Sequence, residues 1–235
     1  MGEAERIVPG IYLVAGPNIS HAEDATAFVI EFGDELVMID SGVGRSIDVI
    51  LDNIAEAGLD PERISTLILT HCHIDHIGGA GEIRERTGCR IVVHELDADA
   101  IEIGDPNKTA AGWYGRKLLP IPVDYRLRGA SESLTFGGEN LHCLHTPGHT
   151  PGSISIYLDR GGKRVLFGQD IHGPFHPAFG SDVDMWAQSM QKLLDLDADI
   201  LCEGHFGIFQ SKDRVGKYIL RYLKEHGKSH TKSNG

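Results

Sequence analysis

Residues 66 to 77 read TLILTHCHIDHI: an apolar run leads straight into three histidines and an aspartate packed within residues 71 to 76. No other stretch limits the fold as strongly. The apolar and β-branched residues before it need a buried strand. The imidazoles and the carboxylate after it are costly to bury unless something partners them. The strand must therefore end at a rim where those side chains converge. His71 and His73 are two apart, so on an extended segment they face the same side. Asp75 and His76 follow where the chain must turn, and Gly78 and Gly79 let the backbone fold tightly there. One metal ion could take His71 and His73, and a second could take Asp75 and His76 beyond the turn.

Three more residues of the same chemistry stand in the same setting. His149 in HTPGHTPGS, Asp170 in VLFGQDIHG and His205 in ILCEGHFG each follow an apolar strand pattern beside glycine. Strand ends followed by glycine loops place binding groups at one rim of a sheet. A single histidine after a strand is ordinarily a solvated loop residue or a hydrogen-bonded core residue. Seven ligand-type residues in one setting point instead to convergence. Neutral imidazole and carboxylate suit zinc, and also iron or manganese.

The rest of the chain alternates strand and helix patterns. GIYLVAG (10–16) reads as a strand, and ATAFVIEFGDELVMIDSG (25–42) as a hairpin turning at FGDE. Residues 45–60 carry apolar positions at helical spacing and close at Gly58. Further helices are expected over 79–88, 96–103, 182–197 and 212–226, with strands between them. Two mixed series of this kind suggest two sheets back to back with helices outside. Residues 1–227 read as one domain. Near 104–128 the pattern lapses into Gly, Pro and aromatics, as in an inserted loop or lid, and the polar tail 228–235 is expected to be disordered.

A formal charge of −12 disfavours nucleic acid as a partner. No apolar run approaches the roughly 20 residues of a membrane span. The N-terminus lacks a signal-peptide pattern, so the expected compartment is the cytoplasm. The four cysteines are scattered with no C-x-x-C pair and are expected to be free thiols. Cys72, between two ligand candidates, is expected to point away from them into the core.

THCHIDHIGG, TPGHTPGS, GQD and EGH together resemble the metallo-beta-lactamase superfamily of binuclear metallohydrolases, in residue type, order and rough spacing, from about residue 7 to 225. The resemblance implies a four-layer αβ/βα sandwich of two mixed sheets with the metals at one edge between them. It implies that His71, His73 and His149 bind one metal, that Asp75, His76 and His205 bind the second, and that Asp170 bridges. It also implies that Asp40, in MIDSG, orients metal-bound histidines, a reading placed ahead of the turn or N-cap role open to a strand-ending aspartate before Ser-Gly. Thr70, Thr146 and Thr150 flank ligands and could do similar work.

A site of that kind would hold two divalent metals, zinc first, with a bridging water whose pKa falls from about 15.7 towards about 7. The resulting hydroxide would attack a carbonyl or phosphoryl centre, with Asp75 as the catalytic residue directing it. No G-x-S-x-G stretch competes for the chemistry. After His205 only 30 residues remain, which counts against a helical glutathione-binding segment, and no large nuclease insertion is present. Small ester-type substrates remain: lactones, thioesters, simple esters and phosphodiesters. Trp113 and Tyr114 would supply apolar contacts and Arg116 or Lys117 a charge, unless this stretch is a surface loop or homodimer contact. His172 and His176 could touch substrate or protonate a leaving group. The alternative is a mononuclear iron oxidoreductase resembling the persulfide dioxygenases of the same superfamily.

Overall fold

In a computed structural model of the protein, which describes residues 2–227, the strands carry apolar residues on both faces. In β3 (Ala27–Phe32) and β4 (Glu35–Ile39), Phe28, Ile30, Phe32, Val37 and Ile39 enter one core, while Val29, Leu36 and Met38 enter another. A strand buried on both faces needs a layer above and below it.

The first sheet runs β1 (Glu5–Val8), β2 (Ile11–Ala15), β3, β4, β5 (Ile64–Ile68), β6 (Arg90–His94) and β7 (Tyr125–Leu127), in that order. Its first four strands pair antiparallel and the rest parallel. The second sheet has the order β13 (Gly207–Gln210), β12 (Ile200–Glu203), β11 (Lys163–Gln169), β10 (Ile154–Arg160), β9 (Glu139–His145), β8 (Ser131–Phe136). Only its β11–β12 pair is parallel. Between the sheets lies a core that includes Phe28 against Phe167, ring centroids 5.0 Å apart.

Helices cover the outer faces. Ile47, Ile50 and Ile54 of α1 (Ile47–Glu56) recur at helical spacing and pack on the first sheet, joined by α2 (Ile74–Ile77), α3 (Ala80–Thr87) and α4 (Glu95–Ile103). Trp186, Met190 and Leu193 of α5 (Val183–Asp195) and Val215, Ile219 and Tyr222 of α6 (Lys212–Gly227) cover the second. The layers are helix, sheet, sheet, helix, as expected.

At one rim the sheets are stitched together. Ile154 N–H donates to Thr70 O at 2.8 Å and Thr26 N–H to Gly204 O at 2.8 Å, while within the first half of the chain Ala25 N–H donates to Asp75 O at 3.2 Å. The chain segments that follow β4, β5, β9, β11 and β12 all emerge there.

Some local expectations need refinement. The strand before the histidines stops at Ile68, so His71 and His73 lie in a bend rather than on a strand. The turn bearing Asp75 and His76 is the one-turn helix α2. The stretch 104–128 ends in β7, and its loop is anchored: Ala111, Leu118 and Ile121 are buried, and Thr109 O accepts from Ile74 N–H at 2.8 Å. The tail 228–235 lies outside the described residues. Among those described, no helix is long and apolar enough to cross a membrane.

Candidate metal centre

The seven ligand candidates meet at the stitched rim. Ligand atoms of His71, His73, His149 and Asp170 lie within 4.8 Å of one another, and those of Asp75, His76 and His205 form a second group on the same scale. Asp170 stands between them. Its Oδ2 is 3.2 Å from His149 Nε2 and 3.8 Å from His71 Nε2. Its Oδ1 is 3.1 Å from His76 Nε2 and 3.3 Å from His205 Nε2. One carboxylate oxygen thus faces each group. Asp75 Oδ2 closes the second group, 3.3 Å from His205 Nε2 and 3.8 Å from His76 Nε2.

These contacts suit a cation better than they suit each other. His71 Nε2, His76 Nε2 and Asp170 Oδ1 are buried with no hydrogen-bond partner, although two of them are only 3.1 Å apart. Buried polar atoms are rarely left unpaired, so a convergent unpaired set needs an occupant. The donor set of imidazole and carboxylate fits divalent ions.

The opposite ring nitrogens are already fixed. His76 Nδ1 meets Asp40 Oδ2 at 2.6 Å. Thr70 Oγ1 donates to the same carboxylate at 2.7 Å, and so can accept from His71 Nδ1 at 3.1 Å. Thr70 N–H donates to Asp40 Oδ1 at 2.8 Å. His149 Nδ1 lies 2.9 Å from Pro174 O, which can only accept. Each bond places the proton on Nδ1 and leaves Nε2 as a free lone pair, the arrangement that orients a ligating imidazole. Asp40 therefore acts on His76 directly and on His71 through Thr70. It is held in a left-handed conformation, φ 57°.

The charges divide accordingly. Burial, reinforced by neighbouring imidazoles, keeps the His71 and His73 rings well below the usual histidine range. Burial also works against charge on His76 and His205, but the adjacent carboxylates outweigh it, raising His76 well above its ordinary value and His205 to about 10. Burial pushes Asp75 up, and His76 with His205 pulls it down further, to about 2.

A cavity of about 150 Å³ opens onto both groups. Trp113, Tyr114, Phe179 and His172 line it together with Asp75 and Asp170. Burial and the Asp75 carboxylate push the Tyr114 phenol far up, so it remains a donor at neutral pH. His176 is not part of the wall. Its ring caps the short turn at Pro177 by accepting from Ala178 N–H, and packs behind the wall against Trp113 at 5.2 Å. Arg116 and Lys117 line a separate groove, of about 750 Å³, against α3. Cys72 is buried as expected, its thiol donating to Lys108 O at 3.3 Å, and burial then Asp97 push it up. Thr146 borders the rim's interior, bonded to Ser155 Oγ at 3.0 Å.

Sequence reasoning missed four supports. Asp97 accepts from Cys72 N–H at 3.0 Å, Thr150 Oγ1 at 2.7 Å and Gly152 N–H at 2.7 Å, tying the His71 bend to the His149 loop. A Cβ at Gly152 would meet Asp97 at 2.6 Å, so this position requires glycine. Gln169 donates its amide to Asp40. Glu203 accepts from His205 N–H at 2.8 Å and Phe206 N–H at 2.9 Å. Phe179 stacks edge-on to His73 at 4.3 Å. Glu203, inside EGH, and Gln169, inside GQD, stand in stretches that carry the family resemblance.

Comparisons with known proteins agree with this architecture. The family model described as the metallo-beta-lactamase superfamily matches residues 22–205. The probable metallo-hydrolase YqgX of Bacillus subtilis is 33% identical over 136 residues, 57% of this chain and 60% of that relative's length. The acyl-coenzyme A thioesterase MBLAC2 of Gallus gallus is 26% identical over 94% of this chain and 86% of its own. Among solved structures, the FEZ-1 metallo-beta-lactamase from Legionella gormanii superposes with a TM-score of 0.83 at 19% identity, over 100% of this chain and 98% of that one. At that identity the likeness is one of fold. With 184 consecutive positions, residues 22 to 205, under the family model and this sandwich around them, the chain belongs to the metallo-beta-lactamase superfamily.

Proposed function

We propose that the protein is a binuclear metal-dependent hydrolase, zinc being the first choice of ion, acting on a small ester-type substrate. The observation that carries this reading is the division of the Asp170 carboxylate, one oxygen towards each histidine group. His71, His73, His149 and Asp170 would hold one ion, and Asp75, His76, His205 and Asp170 the other. When bound, such a pair supplies Lewis acidity, bringing the pKa of water from about 15.7 towards about 7 and polarising the oxygen under attack.

The chain's own residues do the remaining work. Asp75 faces the cavity and would accept a hydrogen bond from an attacking water, aiming its lone pair. Tyr114, kept protonated beside Asp75, donates a hydrogen bond to a substrate oxygen. Trp113 and Phe179, centroids 4.7 Å apart, offer an apolar wall for the acyl part. His172 faces the same space. The cavity's small volume favours lactones, thioesters and simple esters over bulky polymers.

The test is elemental analysis of protein as purified, followed by a chromogenic panel of lactone, thioester, ester and phosphodiester on the same sample. Two zinc ions per chain with turnover that chelation removes and zinc restores is the expected result. One iron per chain with oxygen uptake would overturn it in favour of a mononuclear oxidoreductase.

A further inference from the structure

A third set of ligand atoms converges at the mouth. Those of Asp170, His172 and His205 lie within 4.8 Å of one another. Asp170 and His205 already serve the groups above, whereas His172 belongs to neither. His172 Nδ1 meets Glu203 Oε1 at 2.9 Å. Glu203 is fully buried, and its other oxygen takes the N–H groups of His205 and Phe206. One carboxylate therefore grips both the His172 ring and the loop that carries His205. A carboxylate on the far nitrogen is the usual outer partner of a metal-bound imidazole, because it fixes the tautomer and the ring angle. Here it leaves His172 Nε2 as the free donor, with the ring edge-on to His205 at 5.2 Å and bordering the cavity.

We propose that His172 is a further metal ligand, forming with Asp170 and His205 an outer cation seat that overlaps the one built on Asp75, His76 and His205. The inference rests on the dinuclear reading above. Ligand atoms at about 2.1 Å from a tetrahedral ion stand about 3.4 Å apart. The outer set, whose atoms lie within 4.8 Å of one another, therefore closes with side-chain shifts of about an ångström. Both seats need His205, so the outer one is an alternative place for the second ion, on the solvent side of the first.

Zinc titration by calorimetry, with elemental analysis after gel filtration, tests this without reference to turnover. Wild-type protein is expected to take up two zinc ions per chain. His76→Ala removes an inner ligand and should still take up a second zinc, more weakly, in the outer seat. Adding His172→Ala should bring the count to one. Adding Glu203→Gln instead should weaken the second zinc by about 10- to 100-fold. The first zinc, retained by His71, His73 and His149, reports that each variant is folded. A His76→Ala protein limited to one zinc overturns the outer seat. So does a second zinc held equally well with and without His172. Wild-type protein that takes up no metal sinks the hydrolase reading itself, and this inference with it.

Discussion

At the scale of single residues, the centre depends on which atom of each side chain is left free. Asp170 supplies an oxygen to each group, and His149 has its outer nitrogen committed to Pro174. Replacing either by alanine should reduce hydrolysis to background while the far-ultraviolet circular dichroism stays native, since neither belongs to the apolar cores. Unchanged turnover in either variant would remove its assigned role. Asp40 is a positioning residue. Asp40→Asn should keep the fold but lower metal affinity about 10- to 100-fold, measured by competition with a chromogenic chelator. The convergence of the seven side chains was legible because they recur together after strand patterns, where any one alone would read as a loop or core residue. Asp97 and Gln169 were not, because their roles exist only through partners far along the chain: Asp97 binds Gly152 across 55 positions and Gln169 reaches Asp40 across 129. Nothing local marks the Asp97 carboxylate, and Gln169, although it stands in GQD, gives no sign of its distant partner.

At the scale of elements, the long ones declared themselves and the short ones did not. The helix expected over 45–60 forms over Ile47–Glu56, and that expected over 182–197 forms over Val183–Asp195, because both carry several turns of apolar spacing. β1, β7 and β13 span only three or four residues each, too few for a period to emerge, and α2 is a single turn in which two ligand candidates sit between two isoleucines. One contact between elements sets a pH response. His94, ending β6, stacks on His145, ending β9, with centroids 3.9 Å apart and planes 8° apart. Burial, then the neighbouring His145, lowers the His94 pKa. The unfolded chain, with histidine near its ordinary 6.5, binds more protons between the two pKa values. This contribution to stability is thus complete above about pH 6.5 and is lost as the pH falls below it. The melting temperature should fall between pH 7.5 and 5.5 in wild type and fall less in His94→Gln. Equal falls in both would rule the stack out as the source.

At the scale of the molecule, the two sheets are joined by an apolar interlayer and, at one rim, by the ligand groups. Ions bound there would be held by the folded state alone, so chelation should destabilise the whole chain. Each site kept at a hundred times its dissociation constant contributes about 2.7 kcal/mol. For a chain of this size that is roughly 5–10 °C in melting temperature, readable by calorimetry before and after chelator. An unaltered transition would mean that no ion bridges the halves. The layered architecture was legible because strands apolar on both faces admit few arrangements, whereas the stitching at the rim was not, since backbone bonds leave no trace in side-chain pattern. The first sheet is built from residues up to Leu127 and the second from Ser131 onward. Each of the two inner ligand groups draws on both: His71 and His73 with His149, and Asp75 and His76 with His205. A chain nicked between Leu127 and Ser131 would therefore yield two pieces, neither of which carries an inner group whole, and whose reunion in a test tube could be followed by the metal those inner groups capture only as a pair.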